Sequence, residues 1–260
     1  MLLAIDVGNT NIVLGVFEGD HLAHSWRLAT YRERTADELG MMVTQLFRHG
    51  GLQASQIDGM ILASVVPPLT GMMLEMAVRY FGREPMVVEG TSRTGMPVRY
   101  EPPSDVGADR IVNGVAAFEL YGRPAGAPTI VVDFGTATTF DAISAAGEYL
   151  GGVICPGIQI SADALFQHAA RLPRVDVRKP AAVVGRTTVA SMQSGLFFGY
   201  VDMVDGIVRR MRQELGGGGP VATVATGGMA GVIAKETGVI DAVNPDLTLI
   251  GLRMIWERNQ

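Results

Sequence analysis

The chain has 260 residues, 48% hydrophobic and 18% charged, with a formal net charge of −5. This length buries roughly three quarters of the unfolded surface, enough for one large domain or two coupled lobes, and the net acidity argues against nucleic-acid binding. The single cysteine, Cys155, excludes an intrachain disulfide and suits a reducing cytoplasm; the four scattered histidines offer no zinc site; no uninterrupted apolar stretch would span a membrane.

Leu2 to Val7, Asn11 to Phe17 and His21 to Leu28 are predicted as three consecutive strands, and the N-terminus enters the first without the basic start of a signal peptide. Thr35-Ala36-Asp37-Glu38 has the spacing of a capping box, and Leu39, Met42, Val43, Leu46 and Phe47 form one apolar helical face that Gly50-Gly51 stops. A buried strand over Met60 to Val66, a helix over Leu69 to Phe81 and a strand over Pro85 to Val88 complete a βββαβαβ lobe. The stretch Ser104 to Arg110 leads into an apolar helix carrying Ile111, Val115 and Phe118.

The same order then begins again. Thr129 to Asp133, Ala137 to Ser144 and Glu148 to Ile154 are predicted as strands. Helices are expected at about Gly157 to Ala170 and Thr188 to Leu215, then a strand at Val221 to Ala225 and helices at Met229 to Glu236 and Leu247 to Glu257. Gly216 to Gly219 is a surface turn. Arg209-Arg210-Met211-Arg212 is expected to complement the helix dipole at the end of the long helix. The expected division is a first lobe over 1–122 and a second over 123–260.

Each lobe opens on the same device. Asp6-Val7-Gly8-Asn9-Thr10-Asn11 recurs in outline as Asp133-Phe134-Gly135-Thr136-Ala137-Thr138, and the two aspartates lie 127 residues apart (133 minus 6), close to half the chain. A glycine after the strand lets backbone approach a phosphate, and the amide or hydroxyl that follows donates to its oxygens. An aspartate there needs a cation between itself and phosphate, which makes Asp6 and Asp133 metal-side or water-side candidates. A lone copy reads equally well as an ordinary hairpin turn; two copies at half-chain spacing favour a duplicated nucleotide fold. A P-loop is excluded, since neither lysine (Lys179, Lys235) follows a glycine, and Gly227-Gly228-Met229-Ala230-Gly231 lacks the Rossmann spacing.

Two βββαβα lobes with a central cleft make up the α/β, duplicated ribonuclease H-like architecture of actin, hexokinase and Hsp70. Within that class, Asp6-x-Gly8-Asn9-Thr10, Gly107-Ala108-Asp109-Arg110 and Asp133-Phe134-Gly135-Thr136-Ala137-Thr138-Thr139, in that order, resemble type III pantothenate kinases. Gly151-Gly152, Pro156-Gly157-Ile158 and Thr226-Gly227-Gly228 fall where that family has similar segments, so the resemblance runs end to end. It implies a cytoplasmic homodimeric enzyme that transfers the γ-phosphoryl group of ATP to the primary hydroxyl of pantothenate, the first committed step towards coenzyme A.

By position alone, Asp109 is either a helix cap or the carboxylate that accepts the attacking hydroxyl's proton; the resemblance implies the base. It further implies that Asp6, Val7, Gly8, Asn9, Thr10, Asn11, Ile12 and Val13 hold the ATP phosphates, with Mg2+ carried in on the nucleotide, and that Thr136 reaches ATP. Tyr100, Gly107, Ala108, Asp109, Arg110 and Thr188 would contact pantothenate, and Asp133 a monovalent cation (K+ or NH4+). Taken singly, Tyr100 also reads as a packing residue, Thr188 as the cap of the helix that follows, and Arg110 as a surface ion pair with Asp105 or Asp109. Gly195 and Gly199, four apart on that long helix, permit close packing, either inside the chain or at a subunit interface. A sugar or acyl-group kinase of the same superfamily, a nucleotide-sensing regulator or chaperone, and an actin-like filament former are the alternatives.

Overall fold

The computed structural model describes residues 1–89 and 92–260. Two five-stranded mixed sheets form, one in each of two compact units, 1–116 with 246–260 and 117–245.

In the first unit β1 (Leu2–Val7), β2 (Asn11–Glu18), β3 (His21–Ala29), β4 (Gly59–Ser64) and β5 (Met86–Val87) stand in the order β3-β2-β1-β4-β5. The three leading strands run antiparallel, while β4 and β5 continue the sheet in parallel with β1. A central strand is covered on both faces, which is why β1 is an unbroken apolar run up to Asp6, whereas edge strand β3 alternates exposed and half-buried residues. After β3, α1 (Ala36–His49) starts as the sequence predicts: Thr35 Oγ1 accepts the Glu38 N–H at 3.2 Å, and Glu38 Oε2 accepts the Thr35 N–H at 2.8 Å. Its buried face, Leu39, Val43 and Phe47, joins Met73, Met76 and Phe81 of α2 (Pro67–Phe81) over the sheet. This second helix begins two residues earlier than the pattern suggests, because proline fits the first helical turn, where no N–H is needed. A 3-10 turn at Pro103–Asp105 leads into α3 (Ala108–Ala117).

The second unit opens on a π-helical turn (Phe118–Gly122) and the short α4 (Arg123–Ala125), which the sequence pattern does not separate from α3. Then β6 (Thr129–Phe134), β7 (Ala137–Ile143), β8 (Tyr149–Pro156), β9 (Ala222–Gly227) and β10 (Ala242–Val243) repeat the first sheet, in the order β8-β7-β6-β9-β10. The sequence pattern does not predict β10. Of the helices, α5 (Ile158–His168) and α6 (Thr188–Gly216) follow β8, and α7 spans only Ala230–Ile233, half the predicted length. The long α6 buries Phe197, Tyr200, Val204 and Val208 with Ile130, Val132 and Phe140 of the sheet.

Three local expectations are corrected. The cap of α6 is Thr187, whose side chain accepts the Ala190 N–H, so Thr188 is the first helical residue. Arg212 does not serve the helix dipole: its guanidinium donates to Thr223 Oγ1 (2.8 and 3.1 Å), to the Val239 carbonyl (2.9 Å) and to Asp241 Oδ2 (2.8 Å), tying α6 to the β9–β10 edge. The last helix, α8 (Leu247–Arg258), belongs to the first unit, although the expected division placed it in 123–260. It packs on β1, β2 and β4, where Gly15 and Gly59 leave room for Leu249 and Trp256. Thr248 also donates to the buried Asn113 of α3 at 2.7 Å.

Candidate active site

The Asp-x-Gly turn of the first unit is a hairpin with a two-residue tip. Val7 pairs with Ile12, the Gly8 N–H donates to the Asn11 carbonyl at 2.9 Å, and Asn9 and Thr10 stand exposed at the apex. A Cβ on Gly8 would lie 3.1 Å from that carbonyl, so glycine keeps the turn tight. Val7 and Ile12 are fully buried in the core and offer a ligand only their backbone. A segment that sequence reasoning missed braces the turn from behind: the Thr30 N–H donates to the Thr10 carbonyl (2.9 Å), Thr30 Oγ1 to the Gly8 carbonyl (2.7 Å) and Arg32 Nη2 to Asn9 Oδ1 (3.3 Å). Nothing in the local sequence signals these contacts, which span about twenty residues.

The start of α3 lies beside the same strand ends. The Val65 N–H, one residue beyond β4, donates to the Val7 carbonyl at 3.0 Å, and Val65 Cγ1 lies 3.6 Å from where a Cβ on Gly107 would project. That hypothetical Cβ would also come within 2.6 Å of Asp109 Oδ1, so the glycine gives the carboxylate room to fold back over the helix start. There Oδ1 accepts the Arg110 N–H at 2.8 Å. Burial nonetheless outweighs this bond and the Arg110 charge and pushes the Asp109 carboxyl above the usual carboxylate range. Tyr100, Ala108 and Arg110 are half-buried in the same segment.

The second unit repeats the turn with one residue fewer. Phe134 pairs with Thr138, the Gly135 N–H donates to the Ala137 carbonyl at 3.1 Å, and exposed Thr136 alone occupies the tip. Two glycines from elsewhere crowd in. A Cβ on Gly157 would collide with the Thr136 carbonyl, and one on Gly227, whose φ is +91°, would sit 2.6 Å from both Asp133 Oδ1 and the Phe134 carbonyl oxygen. The Gly228 N–H donates to that same carbonyl at 3.2 Å. Asp133, Thr136, Gly157 and Gly227-Gly228 are thus one cluster at the end of β6. Thr188 stands exposed at the first turn of α6.

Among the described residues, no three His, Cys, Asp or Glu side chains gather as a metal cage. Two surface depressions, of about 410 Å³ beside α1 and about 350 Å³ beside Trp256, contain none of the candidate residues. A rim of backbone N–H groups and hydroxyls can grip phosphate without an enclosed apolar cavity.

Two sheets of one topology, each with its glycine turn after the first strand, make up the duplicated ribonuclease H-like fold of the actin and hexokinase class. The chain aligns over 100% of its length with 99% of an inorganic polyphosphate/ATP-glucomannokinase from Arthrobacter, at TM-score 0.51 and 14% identity. It also aligns over 99% of its length with 98% of a Campylobacter jejuni chain described as a Baf family transcriptional activator, at TM-score 0.61 and 19% identity; at these identities only the fold is shared. Residues 2–210 match the type III pantothenate kinase family, and a type III pantothenate kinase of Moorella thermoacetica is 56% identical over 100% of both chains. The chain belongs to the type III pantothenate kinase family. It is an enzyme, a kinase that phosphorylates pantothenate with ATP in coenzyme A biosynthesis.

Proposed function

We propose that Asp109 is the general base of this reaction, accepting the proton of the pantothenate hydroxyl as it attacks the γ-phosphorus of ATP. The observation that carries the reading is the Gly107–Asp109 arrangement beside the end of β1, where a crowded carboxylate of raised basicity lies near a phosphate turn. Phosphoryl transfer asks mostly for positioning and charge stabilisation. Asp6 to Val13 supply the positioning on the nucleotide side, Asn9 and Thr10 by side chain and Val7 and Ile12 by backbone, and Thr136 reaches ATP from the second turn. Magnesium bound to the nucleotide would neutralise charge on the phosphate oxygens.

Tyr100, Gly107, Ala108, Arg110 and Thr188 hold pantothenate in this reading, with the Arg110 fork suited to its carboxylate. The oxygen set at Asp133, one carboxylate with the Phe134 carbonyl nearby, carries a single negative charge and so fits a monovalent cation such as potassium, which would supply local positive charge there.

We also propose a cytoplasmic homodimer. A Cβ at Gly195 or Gly199 would meet nothing within 4 Å, so packing inside the chain does not account for these glycines. Edge strand β8 and helix α5 of the same unit expose Ile154, Ile160 and Phe166, with Ile154 at 61%. Among the described residues no helix is long and apolar enough to cross a membrane.

The test is ADP release from ATP, magnesium and pantothenate, with and without potassium, for the wild type and Asp109→Asn. Pantothenate-dependent, potassium-stimulated turnover that falls about 10²–10⁴-fold in the variant is expected. A variant as fast as the wild type would remove Asp109 from the role.

A further inference from the structure

We infer that Arg32 is a phosphate-positioning residue, the cation that completes the first phosphate turn. The inference rests on the reading that Gly8 to Asn11 receive the ATP phosphates. The stretch Asp6 to Val13 contains one carboxylate and no cationic side chain, and the chain's only lysines, Lys179 and Lys235, lie far along the sequence. A turn built for a polyanion needs positive charge nearby, because backbone N–H groups alone leave most of the phosphate charge unbalanced. In the first unit, the loop between β3 and α1 brings that charge.

The loop is pinned to the turn at two carbonyls. Thr30 donates its N–H to the Thr10 carbonyl (2.9 Å) and its hydroxyl to the Gly8 carbonyl (2.7 Å). Both bonds occupy acceptors that would otherwise repel an anion. Two residues on, Arg32 is exposed, and its Nη2 donates to Asn9 Oδ1 at 3.3 Å. An amide that presents its oxygen to a guanidinium keeps its Nδ2 as a donor for another partner. Arg32 therefore orients Asn9 as a donor at the tip of the turn and places its own fork beside it. Planar, permanently charged and able to bind phosphate with two parallel N–H groups, arginine suits this position better than lysine.

Arg34 provides the contrast. Its guanidinium stacks on Tyr31, 4.7 Å from the ring centroid, at the approach to the α1 cap, which is a packing arrangement.

The experiment compares wild type, Arg32→Ala, Arg32→Lys, Asn9→Ala and Arg34→Ala by steady-state kinetics and by equilibrium titration with ATP and with adenosine. Arg32→Ala is expected to raise KM and Kd for ATP on the order of tenfold or more, with adenosine affinity and KM for pantothenate unchanged. Arg32→Lys should recover part of the loss, and Asn9→Ala should make a further Arg32→Ala change less costly than it is alone. Arg34→Ala should shift the melting temperature and leave the ATP constants within about twofold. Unchanged ATP affinity in Arg32→Ala, or an equal loss for adenosine, would overturn the inference. If the wild type fails to turn over pantothenate, the assignment of the reaction falls, and the titrations still decide Arg32.

Discussion

At Asp109 two physical effects compete. The helix start and the Arg110 N–H favour the carboxylate, burial disfavours it, and burial prevails. A carboxyl with a raised folded-state pKa stabilises the fold fully below its unfolded value of about 3.9, and that contribution is lost as pH rises through the raised value. At neutral pH, burial of Asp109 is thus a local cost to the fold. Asp109→Asn should melt no lower than wild type at pH 7 while losing activity, and the acid limb of wild-type kcat/KM should have its midpoint above the ordinary carboxylate value of about 4. Thermal melts and a pH–rate profile check both. Gly227 offers a second test at this scale. With φ at +91° and two oxygens 2.6 Å from any added Cβ, Gly227→Ala must displace Asp133 or the Phe134 carbonyl. The concentration of potassium giving half-maximal activity is expected to rise several-fold; an unchanged value would detach Asp133 from the cation role. Gly8 and Gly135 stand out in the sequence because a strand end followed by Asp-x-Gly is a local pattern. Thr187 and Thr188 do not separate, since adjacent threonines compete for one cap and only backbone geometry decides between them.

Helix and strand identities follow closely from periodicity, because an apolar face and its caps are written within each segment. Partners are another matter. The apolar face of α8 specifies a helix but not the sheet it covers, and Gly15 and Gly59, which receive it, lie about two hundred residues earlier. The basic run at 209–212 likewise divides by long-range contacts: Arg209 pairs with Asp205 one turn back at 2.8 Å, while Arg212 reaches Thr223, Val239 and Asp241. Asp241 Oδ2 also accepts the Thr223 N–H at 2.7 Å, so the guanidinium and a backbone group share one carboxylate oxygen. Arg212→Ala would leave the Val239 carbonyl and Thr223 hydroxyl short of a donor. It should destabilise the protein by about 2 kcal/mol in urea denaturation, with little change in KM for either substrate. A loss under about 0.5 kcal/mol would show that the network is merely a surface ion pair.

Across the whole molecule, the duplication read from two short motifs extends to strand order, strand direction and the placing of each glycine turn. It is not a strict copy: Asn9 and Thr10 share one tip, and Thr136 has the other to itself. If the exposed apolar residues of β8 and α5 form a subunit interface, Ile154→Glu should convert the dimer to monomer in sedimentation at micromolar concentration. An unchanged sedimentation coefficient would place the interface elsewhere.

The return of α8 to the first sheet makes residues 117–245 an insertion between two parts of one unit. During synthesis, the strands that emerge first wait with one face bare until Leu247–Arg258 leave the ribosome, while the later-made unit already has all its own strands and helices. The nascent chain should therefore mature in reverse of its synthesis, with the second unit settling first and the first-made sheet closing last.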